Sequence, residues 1–315
     1  MNAWLSLGLG LIALYFGAEA LVKGGAGLAL RLGLTPLVIG LTVIAYGTSS
    51  PEMVVSLQAA QAGNGAISVG NVVGSNICNI ALILGLCALI SPMRADLQVI
   101  RREVPVMIGV AVLALLVLLD GHVARWEGAV LLVALVGYTT LTVRQARAAT
   151  AAGAGFGDEL GQGKPLALGW SIAAVVGGLA VLVIGSHLFV TGAVTVATSF
   201  GMSQMAIGLT IVAVGTSLPE LATSLLASIK RQGDVAIGNV VGSNIFNVLG
   251  ILGVTAVVSP LAAPELAKVD LGVMLLVSVG LLPVVRSAGR ISRGEGAILL
   301  AVYIGYTAWL LRQGG

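Results

Sequence analysis

The sequence predicts an all-α polytopic membrane protein whose ten transmembrane helices form two inverted five-helix repeats. Three observations predict this fold class: a very apolar composition, ten apolar segments of membrane-spanning length, and an internal repeat that divides the chain in two. Of the 315 residues, 57% are hydrophobic and only 9% are charged. Soluble globular domains do not show this balance, so the chain is expected to lie in a lipid bilayer.

Ten apolar segments are long enough to cross a hydrocarbon core of about 30 Å as helices. They cover residues 2–22, 36–61, 67–91, 103–120, 126–144, 166–190, 204–229, 235–259, 270–286 and 295–312. The first segment lacks the basic start of a cleaved signal peptide and already follows the internal repeat. We therefore expect it to be retained as part of the structure.

The internal repeat is clearest between residues 40–92 and 208–260, which align without a gap at an offset of 168 residues. The two stretches agree at 28 of 53 positions, and the octapeptide GNVVGSNI recurs unchanged. The same offset brings Gly137-Tyr138 onto Gly305-Tyr306, so the repeat unit spans five segments. Because five is odd, the second unit must enter the bilayer the opposite way up, as in many secondary transporters.

The repeat predicts three parts: a first five-helix repeat at 1–145, a linker at 146–165, and a second, inverted repeat at 166–315. The linker is rich in Ala and Gly and is expected to be flexible. Connections on the linker's side of the membrane hold 13 of the 16 Lys and Arg residues. By the positive-inside rule this side is cytoplasmic, and both termini are expected outside the cytoplasm.

The second and seventh segments each place one glutamate, Glu52 or Glu220, within apolar sequence. These segments provide no basic partner near the glutamates, and inserting a charged residue at a helix centre costs at least about 2.5 kcal/mol. A purely structural role is therefore disfavoured. Pro51 and Pro219 precede the glutamates and interrupt helical hydrogen bonding about one turn earlier. Carbonyl oxygens released there are tolerated in a membrane only where protein, water or an ion satisfies them.

Polar residues recur every four positions in the second, third and eighth segments, and so gather on one face of each helix. The stripes are Thr48, Glu52 and Ser56 with Ala45 and Ser49 alongside; Asn71, Ser75 and Asn79; and Asn239, Ser243 and Asn247. Such stripes also serve as packing devices between membrane helices. Hydrogen bonding between helices is an open alternative for Asn71, Asn76, Asn239 and Asn244. Carboxylates, hydroxyls, amides and carbonyls together form an all-oxygen ligand set, which suits Ca²⁺, Mg²⁺ or Na⁺.

The blocks GLTxxAxGTSxPE and GNxxGSNxxN, each present twice, resemble the alpha-repeats of the calcium/cation antiporter superfamily. The similarity covers essentially the whole chain and is greatest to the prokaryotic sodium/calcium exchanger branch. It implies ten helices, of which the first and sixth slide against a core formed by the other eight. It also implies a location in the prokaryotic inner membrane, calcium and sodium as transported ions, and no cofactor.

The resemblance further implies roles for individual residues. Glu52 and Glu220 would ligate calcium together with the main-chain oxygens of Thr48 and Thr216. The positions that would complete sodium sites are Ala45, Ser49, Ser75, Ala213, Ser217 and Ser243. Asn79 and Asn247 would lie at the centre, where similar proteins often carry Asp at one position. Because both are Asn here, we expect transport without potassium.

These features predict a sodium/calcium antiporter that works by alternating access. Two carboxylates neutralise one Ca²⁺ or attract several Na⁺, and ions that compete for the same charge exchange rather than bind together. Proton/calcium exchange stays an alternative, since a buried glutamate can itself take up a proton. A cation channel is less favoured because a channel needs a continuous pore, and an enzyme is disfavoured because no nucleophile–base pair is evident.

The expected partners follow from the same composition. They are calcium ions, sodium ions and the lipid bilayer, with a monomer as the working unit. Nucleic acid is not expected, because the few cations are scattered among loops rather than gathered on one face.

Overall fold

The computed structural model describes residues 2–151, 166–201, 213–263, 268–287 and 289–313. Within these ranges the chain is helical apart from short connections and four two-residue strands. The helices are α1 (Ala3–Leu32), α2 (Pro36–Thr48), α3 (Ser50–Gln61), α4 (Gly65–Ile90), α5 (Val104–Val117), α6 (Arg125–Ala151), α7 (Leu168–Ser199), α8 (Ala213–Thr216), α9 (Leu218–Ile229), α10 (Gly233–Val258), α11 (Lys268–Ser287) and α12 (Arg293–Gln313). The prediction of an all-helical polytopic membrane protein is confirmed.

Seven helices in the described part of the chain are long and apolar enough to cross a membrane. An eighth is formed if α2 and α3, which meet at an angle of 44°, are one broken span. Helix α5 has 14 residues and α9 has 12, and residues 204–212 of the predicted seventh span lie outside the described ranges. The count of ten helices therefore stays a prediction.

The predicted linker at 146–165 begins as helix, because α6 continues to Ala151. The remaining residues, 152–165, lie outside the described ranges. The division of the chain into two repeats and a linker stays a prediction.

The break between α2 and α3 lies where Pro51 predicts it. Ser49 leaves helical geometry, with φ −80° and ψ 10°, and Pro51 follows in the first turn of α3. Ser217 has nearly the same angles, φ −87° and ψ 10°, between α8 and α9. Proline lacks the N–H that would continue the helical ladder and crowds the preceding turn. In both repeats the helix is therefore broken a few residues before the glutamate.

Wider π-helical turns interrupt the two most buried spans. They cover Cys78–Leu84 in α4 and Asn247–Leu252 in α10, and further π turns lie at Gly40–Ile44 in α2 and at Val99–Glu103 before α5. In the most apolar window of α4, 72% of the residues are buried, and in that of α10, 83%. These two helices form the centre of the molecule. Interruptions of this kind are frequent at functional sites.

Helices α1 and α7 pack along a seam of glycines. The seam consists of Gly10, Gly17 and Gly24 of α1 and Gly178, Gly185 and Gly192 of α7, which correspond to each other at the repeat offset. A Cβ atom on Gly17 would lie 2.9 Å from the backbone nitrogen of Leu182, and one on Gly178 would lie 2.8 Å from the carbonyl oxygen of Gly17. Small residues permit this close approach of membrane helices. Much of the remaining surface of both helices is exposed.

Short strands join the loops of the two halves. Strand β1 (Met93–Arg94) pairs antiparallel with β4 (Arg290–Ile291), and β2 (His122–Val123) pairs antiparallel with β3 (Leu261–Ala262). At the repeat offset, β1 corresponds to β3 and β2 to β4. The two small sheets are therefore related by the same pseudosymmetry as the helices.

Candidate cation site

Two glutamates lie in the interior, each in the first turn after a helix break. Glu52 is the third residue of α3 and Glu220 the third residue of α9, and each is 1% exposed. In the described part of the chain neither forms a salt bridge with a basic residue. The sequence-based prediction of buried carboxylates without a basic partner is confirmed.

Each carboxylate accepts a hydrogen bond from a serine of the other repeat. The hydroxyl of Ser217 donates to Oε1 of Glu52 at 3.0 Å, and that of Ser49 donates to Oε1 of Glu220 at 2.8 Å. Both serines lie at the helix breaks. The second oxygen of each carboxylate, Oε2, is buried and has no hydrogen-bond partner among the described residues. Two electron-rich oxygens are therefore free to accept a cation.

Four asparagines at the π turns form a second symmetric set. The amide nitrogen of Asn79 donates to Oδ1 of Asn244, and that of Asn247 donates to Oδ1 of Asn76, both at 3.0 Å. The amide nitrogens of Asn76 and Asn244 donate to each other's main-chain oxygens at 3.3 and 3.4 Å. The side-chain oxygens (Oδ1) of Asn79 and Asn247 are buried and receive no hydrogen bond in the described part of the chain.

Asn71 and Asn239 have a supporting role in the geometry. Asn71 donates to the hydroxyl of Ser56 at 2.9 Å and to the main-chain oxygen of Glu52 at 3.1 Å. Asn239 makes the same pair of contacts, to Ser224 at 2.9 Å and to the main-chain oxygen of Glu220 at 3.5 Å. Of the two roles that the sequence left open for these asparagines, hydrogen bonding between helices is observed, and the same holds for Asn76 and Asn244.

The remaining predicted residues lie around this centre. The hydroxyl of Ser243 donates to the main-chain oxygen of Ala45 at 3.4 Å, and that of Thr48 donates to Oδ1 of Asn239 at 3.2 Å. Thr216 ends α8, and its buried hydroxyl lacks a partner among the described residues. Ala213 is the first residue of α8.

A polar cavity of about 240 Å³ lies beside α4. It is lined by Gly70, Asn71, Gly74, Ser75, Cys78, Asp270, Tyr303, Tyr306, Thr307 and Leu310. The carboxylate of Asp270 accepts a hydrogen bond from Tyr306 at 2.8 Å. Sequence reasoning found Ser75 but missed Asp270, Tyr303 and Thr307, although the repeated Gly-Tyr pair at Gly305-Tyr306 pointed to this part of α12.

The space related to this cavity by the pseudosymmetry is filled by aromatic side chains. There Phe246 stands in place of Cys78 and stacks on Tyr46 with ring centroids 4.4 Å apart. Tyr46 is also hydrogen-bonded to Thr139 at 2.7 Å. The buried oxygens of the glutamates and asparagines therefore follow the pseudosymmetry of the repeats, whereas the cavity beside α4 does not.

The available ligands favour a hard cation. Within the described ranges no group of three or more His, Cys, Asp or Glu residues could hold a metal ion. The centre instead combines two carboxylates with amide and main-chain oxygens. Oxygen-only ligand sets suit Ca²⁺ and Na⁺ rather than transition metals.

Comparisons with known proteins identify the family. The family described as sodium/calcium exchanger protein matches residues 2–144 and 170–312, two segments that are offset by the same 168 residues as the repeat. CaxA of Alkalimonas amylolytica is 41% identical over 95% of both chains. The sodium/calcium exchanger MaX1 of Methanosarcina acetivorans is 31% identical over 96% of this chain and 97% of its own.

A solved structure shows the same fold. The sodium-calcium exchanger NCX_Mj superposes with a TM-score of 0.84 and 35% identity, over 98% of both chains. Family, relatives and fold agree with the resemblance seen in the repeated blocks. The chain belongs to the sodium/calcium exchanger family of membrane transporters, which are cation antiporters rather than enzymes.

Proposed function

We propose that the chain exchanges sodium for calcium across the membrane by alternating access, with both ions competing for a site built on Glu52 and Glu220. The observation that carries this proposal is the set of four buried acceptor oxygens without donors among the described residues. They are Oε2 of Glu52, Oε2 of Glu220, Oδ1 of Asn79 and Oδ1 of Asn247. Leaving such atoms unpaired is costly unless a cation satisfies them.

The proposed ligands extend from these four atoms. Calcium would be held by the two glutamates and by the main-chain oxygens of Thr48 and Thr216, which lie where the helices break. The proposed sodium ligands come from Ala45, Ser49, Ser75, Ala213, Ser217 and Ser243. Each glutamate already accepts one serine hydroxyl, so a bound ion would complete a half-satisfied carboxylate rather than replace a salt bridge.

The asymmetry between the repeats supports alternating access. On one side of the site a polar cavity reaches Ser75, whereas Tyr46 and Phe246 fill the symmetry-related space. If the filled space opened and the cavity closed, the site would become accessible from the other face of the membrane, as inverted repeats allow. The proposal includes ten spans, both termini outside the cytoplasm, and an open cavity that faces outward.

The decisive experiment is calcium uptake into proteoliposomes of the purified protein under defined gradients. An outward sodium gradient is expected to drive uptake, in potassium-free medium as well, because both central residues are asparagines. A proton gradient alone is expected to drive little. Equal uptake with either gradient would favour proton/calcium exchange, and uptake that follows the calcium gradient without any counter-ion would indicate a channel.

A further inference from the structure

A second polar cavity, of about 420 Å³, lies beyond the ends of the helices that carry the cation site. We call it the loop cavity, and it is lined by Ser91, Pro92, Met93, Arg94, Ser228, Arg231 and Gly233. These residues follow α4, end α9 and begin α10. Their side of the membrane is the one that the distribution of Lys and Arg predicts to be cytoplasmic.

The loop cavity is basic. Arg94 and Arg231 are exposed, and within the described ranges neither side chain forms an ion pair or hydrogen bond with protein. Arg94 also lies directly opposite Arg290 in the β1–β4 pair, and like charges in this position destabilise a strand pair. The nearest acids in sequence are Asp96, which accepts a hydrogen bond from the backbone of Gln98, and Asp234, which has an interaction of its own. A bound anion would relieve this concentration of positive charge.

The symmetry-related position, where the two repeats exchange roles, lacks these polar groups. At the repeat offset, Arg94 corresponds to Ala262, Ser228 to Ala60 and Arg231 to Gly63. Pseudosymmetry of the fold therefore does not require arginine or serine here. The two arginines and Ser228 therefore distinguish this end of the molecule from the symmetry-related one.

Arg231 is held in an unfavourable backbone conformation. Its φ is 60°, and it is the one non-glycine residue with positive φ in the described part of the chain, whereas Gly63 adopts a φ of 80° at the corresponding position. A side chain is strained in this region and glycine is not. An arginine in place of the favoured glycine indicates that its guanidinium serves a purpose at this position.

The loop cavity also lies where two functional spans meet. The buried hydroxyl of Ser228 is hydrogen-bonded to the main-chain oxygens of Ser91 at 3.1 Å and Cys87 at 3.3 Å. These contacts join the end of α9, which carries Glu220, to the end of α4, which carries Asn79. A ligand held between Arg94 and Arg231 would reinforce the same junction.

We propose that the loop cavity binds a phosphate group, carried either by an anionic phospholipid of the adjacent leaflet or by a free phosphate. Guanidinium groups bind phosphate oxygens through paired, charge-assisted hydrogen bonds. Basic pockets at the cytoplasmic ends of membrane helices suit anionic headgroups. The inference does not depend on which cations the protein exchanges.

The test measures ligand-dependent thermal stability of the purified full chain in non-ionic detergent. Short-chain phosphatidylglycerol, short-chain phosphatidylcholine and inorganic phosphate are titrated separately at constant ionic strength. Phosphatidylglycerol or inorganic phosphate is expected to stabilise the wild type in a saturable way. Arg94→Ala and Arg231→Gly are each expected to weaken apparent affinity by about tenfold or more, the usual effect of losing a charged hydrogen bond.

Two features keep the test decisive. Arg231→Gly installs the residue that the other repeat uses, so this variant is expected to fold at least as well as the wild type without ligand. Arg101→Ala removes an exposed arginine outside the cavity and is expected to leave the affinity unchanged. Saturation by phosphatidylglycerol alone identifies a lipid, and saturation by inorganic phosphate identifies a soluble anion. Equal responses of Arg94→Ala, Arg231→Gly and Arg101→Ala, or no saturable response to either anion, would overturn the proposal.

Discussion

At the scale of single residues, the site depends on carboxylates that are only half satisfied by the protein. Each glutamate receives one hydroxyl, from the serine at the helix break of the other repeat. A fully paired carboxylate would have little to offer an ion, and a wholly unpaired one would be too costly to bury. This arrangement leaves one oxygen on each glutamate for a cation.

Replacing Glu52 or Glu220 by Gln is expected to lower sodium-driven calcium uptake by at least about tenfold, because a divalent ion loses a charged ligand while side-chain volume is preserved. Initial uptake rates in proteoliposomes measure the effect. Glu127→Gln, a change of the same type at a carboxylate that accepts from the backbone of Ala124, serves as the control. Uptake near the wild-type rate in either site variant would contradict the assignment of the two glutamates.

The serine contacts predict a coupling between the repeats. Ser49→Ala is expected to interact energetically with Glu220→Gln by about 0.5–3 kcal/mol, and to couple more weakly with Glu52→Gln. The reason is that Ser49 donates to Glu220 rather than to the glutamate three residues further along its own segment. Double-mutant cycles on the free energy of unfolding measure both terms. Stronger coupling to Glu52 would show that the cross-repeat contact is absent in solution.

At the scale of helices, two devices shape the molecule: prolines that break the site helices, and glycines that let α1 and α7 meet. The breaks place Ser49 and Ser217 beside the glutamates. The glycine seam makes α1 and α7 a closely packed pair, much of whose remaining surface is exposed. This packing agrees with the expectation that the first and sixth spans move together.

The glycine seam can be tested with a matched pair of substitutions in α1. Gly17→Ala places a Cβ atom 2.9 Å from the backbone of α7, and overpacking of this kind typically costs about 1–3 kcal/mol. Gly8→Ala meets nothing within 4 Å and is expected to be neutral or to stabilise the helix by up to about 1 kcal/mol. Thermal unfolding of both purified variants measures the difference. Equal midpoints would mean that the seam is looser than the structure describes.

At the scale of the whole molecule, the repeats share a backbone plan but not the space around the site. Cys78 lines an open cavity, and Phe246 fills the equivalent place with Tyr46. Transport by alternating access requires such a difference between the two sides of the site, because a site open to both faces at once would let ions leak across the membrane. The two ends of the molecule also differ in charge, because Arg94 and Arg231 line the loop cavity at one end and Ala262 and Gly63 take their places at the other.

The difference between the open cavity and the filled space predicts that a thiol reagent labels a cysteine at each place from one side of the membrane only. Cys78 is itself buried but lines the cavity, so a small membrane-impermeant thiol reagent is expected to reach it slowly, and from the outer face only. In a Cys78→Ser background, Phe246→Cys with Tyr46→Val copies the small residues of the other repeat, Cys78 and Val214, and is expected to be labelled from the inner face only. Labelling of right-side-out and inverted vesicles provides the measurement, and Cys87, which is buried and does not line this cavity, reports background. Both cysteines reacting from one face would contradict the inverted arrangement.

Proton competition is a further property of the whole transport cycle. Cations bind carboxylates only in the deprotonated form, so protons and calcium would compete for Glu52 and Glu220 in the proposed site. Apparent calcium affinity is therefore expected to fall as the pH is lowered from about 8 to about 5, while the maximal rate at saturating calcium changes less. Uptake measured over a range of calcium concentrations at each pH separates the two effects. A constant affinity across this range would contradict the carboxylate site.

The sequence alone determined the membrane class, the repeat, the helix breaks at Pro51 and Pro219, and the buried glutamates. These features depend on composition and on local backbone chemistry, which are evident from the sequence without knowledge of the fold. Proline interrupts a helix wherever it stands within one, and a carboxylate in an apolar segment is conspicuous in any fold. The number of spans and the individual ligand roles stay predictions.

Only the tertiary structure decided which groups meet. Ser49 lies 171 positions from Glu220, and Asn79 lies 165 from Asn244, so spacing along one helix could not reveal either contact. The same holds for Tyr46 against Phe246 and for Arg94 opposite Arg290. Helical periodicity specifies a face but not the partner that packs against it. The partner depends on how two similar halves pack together, and small differences between the halves decide where space and charge are left.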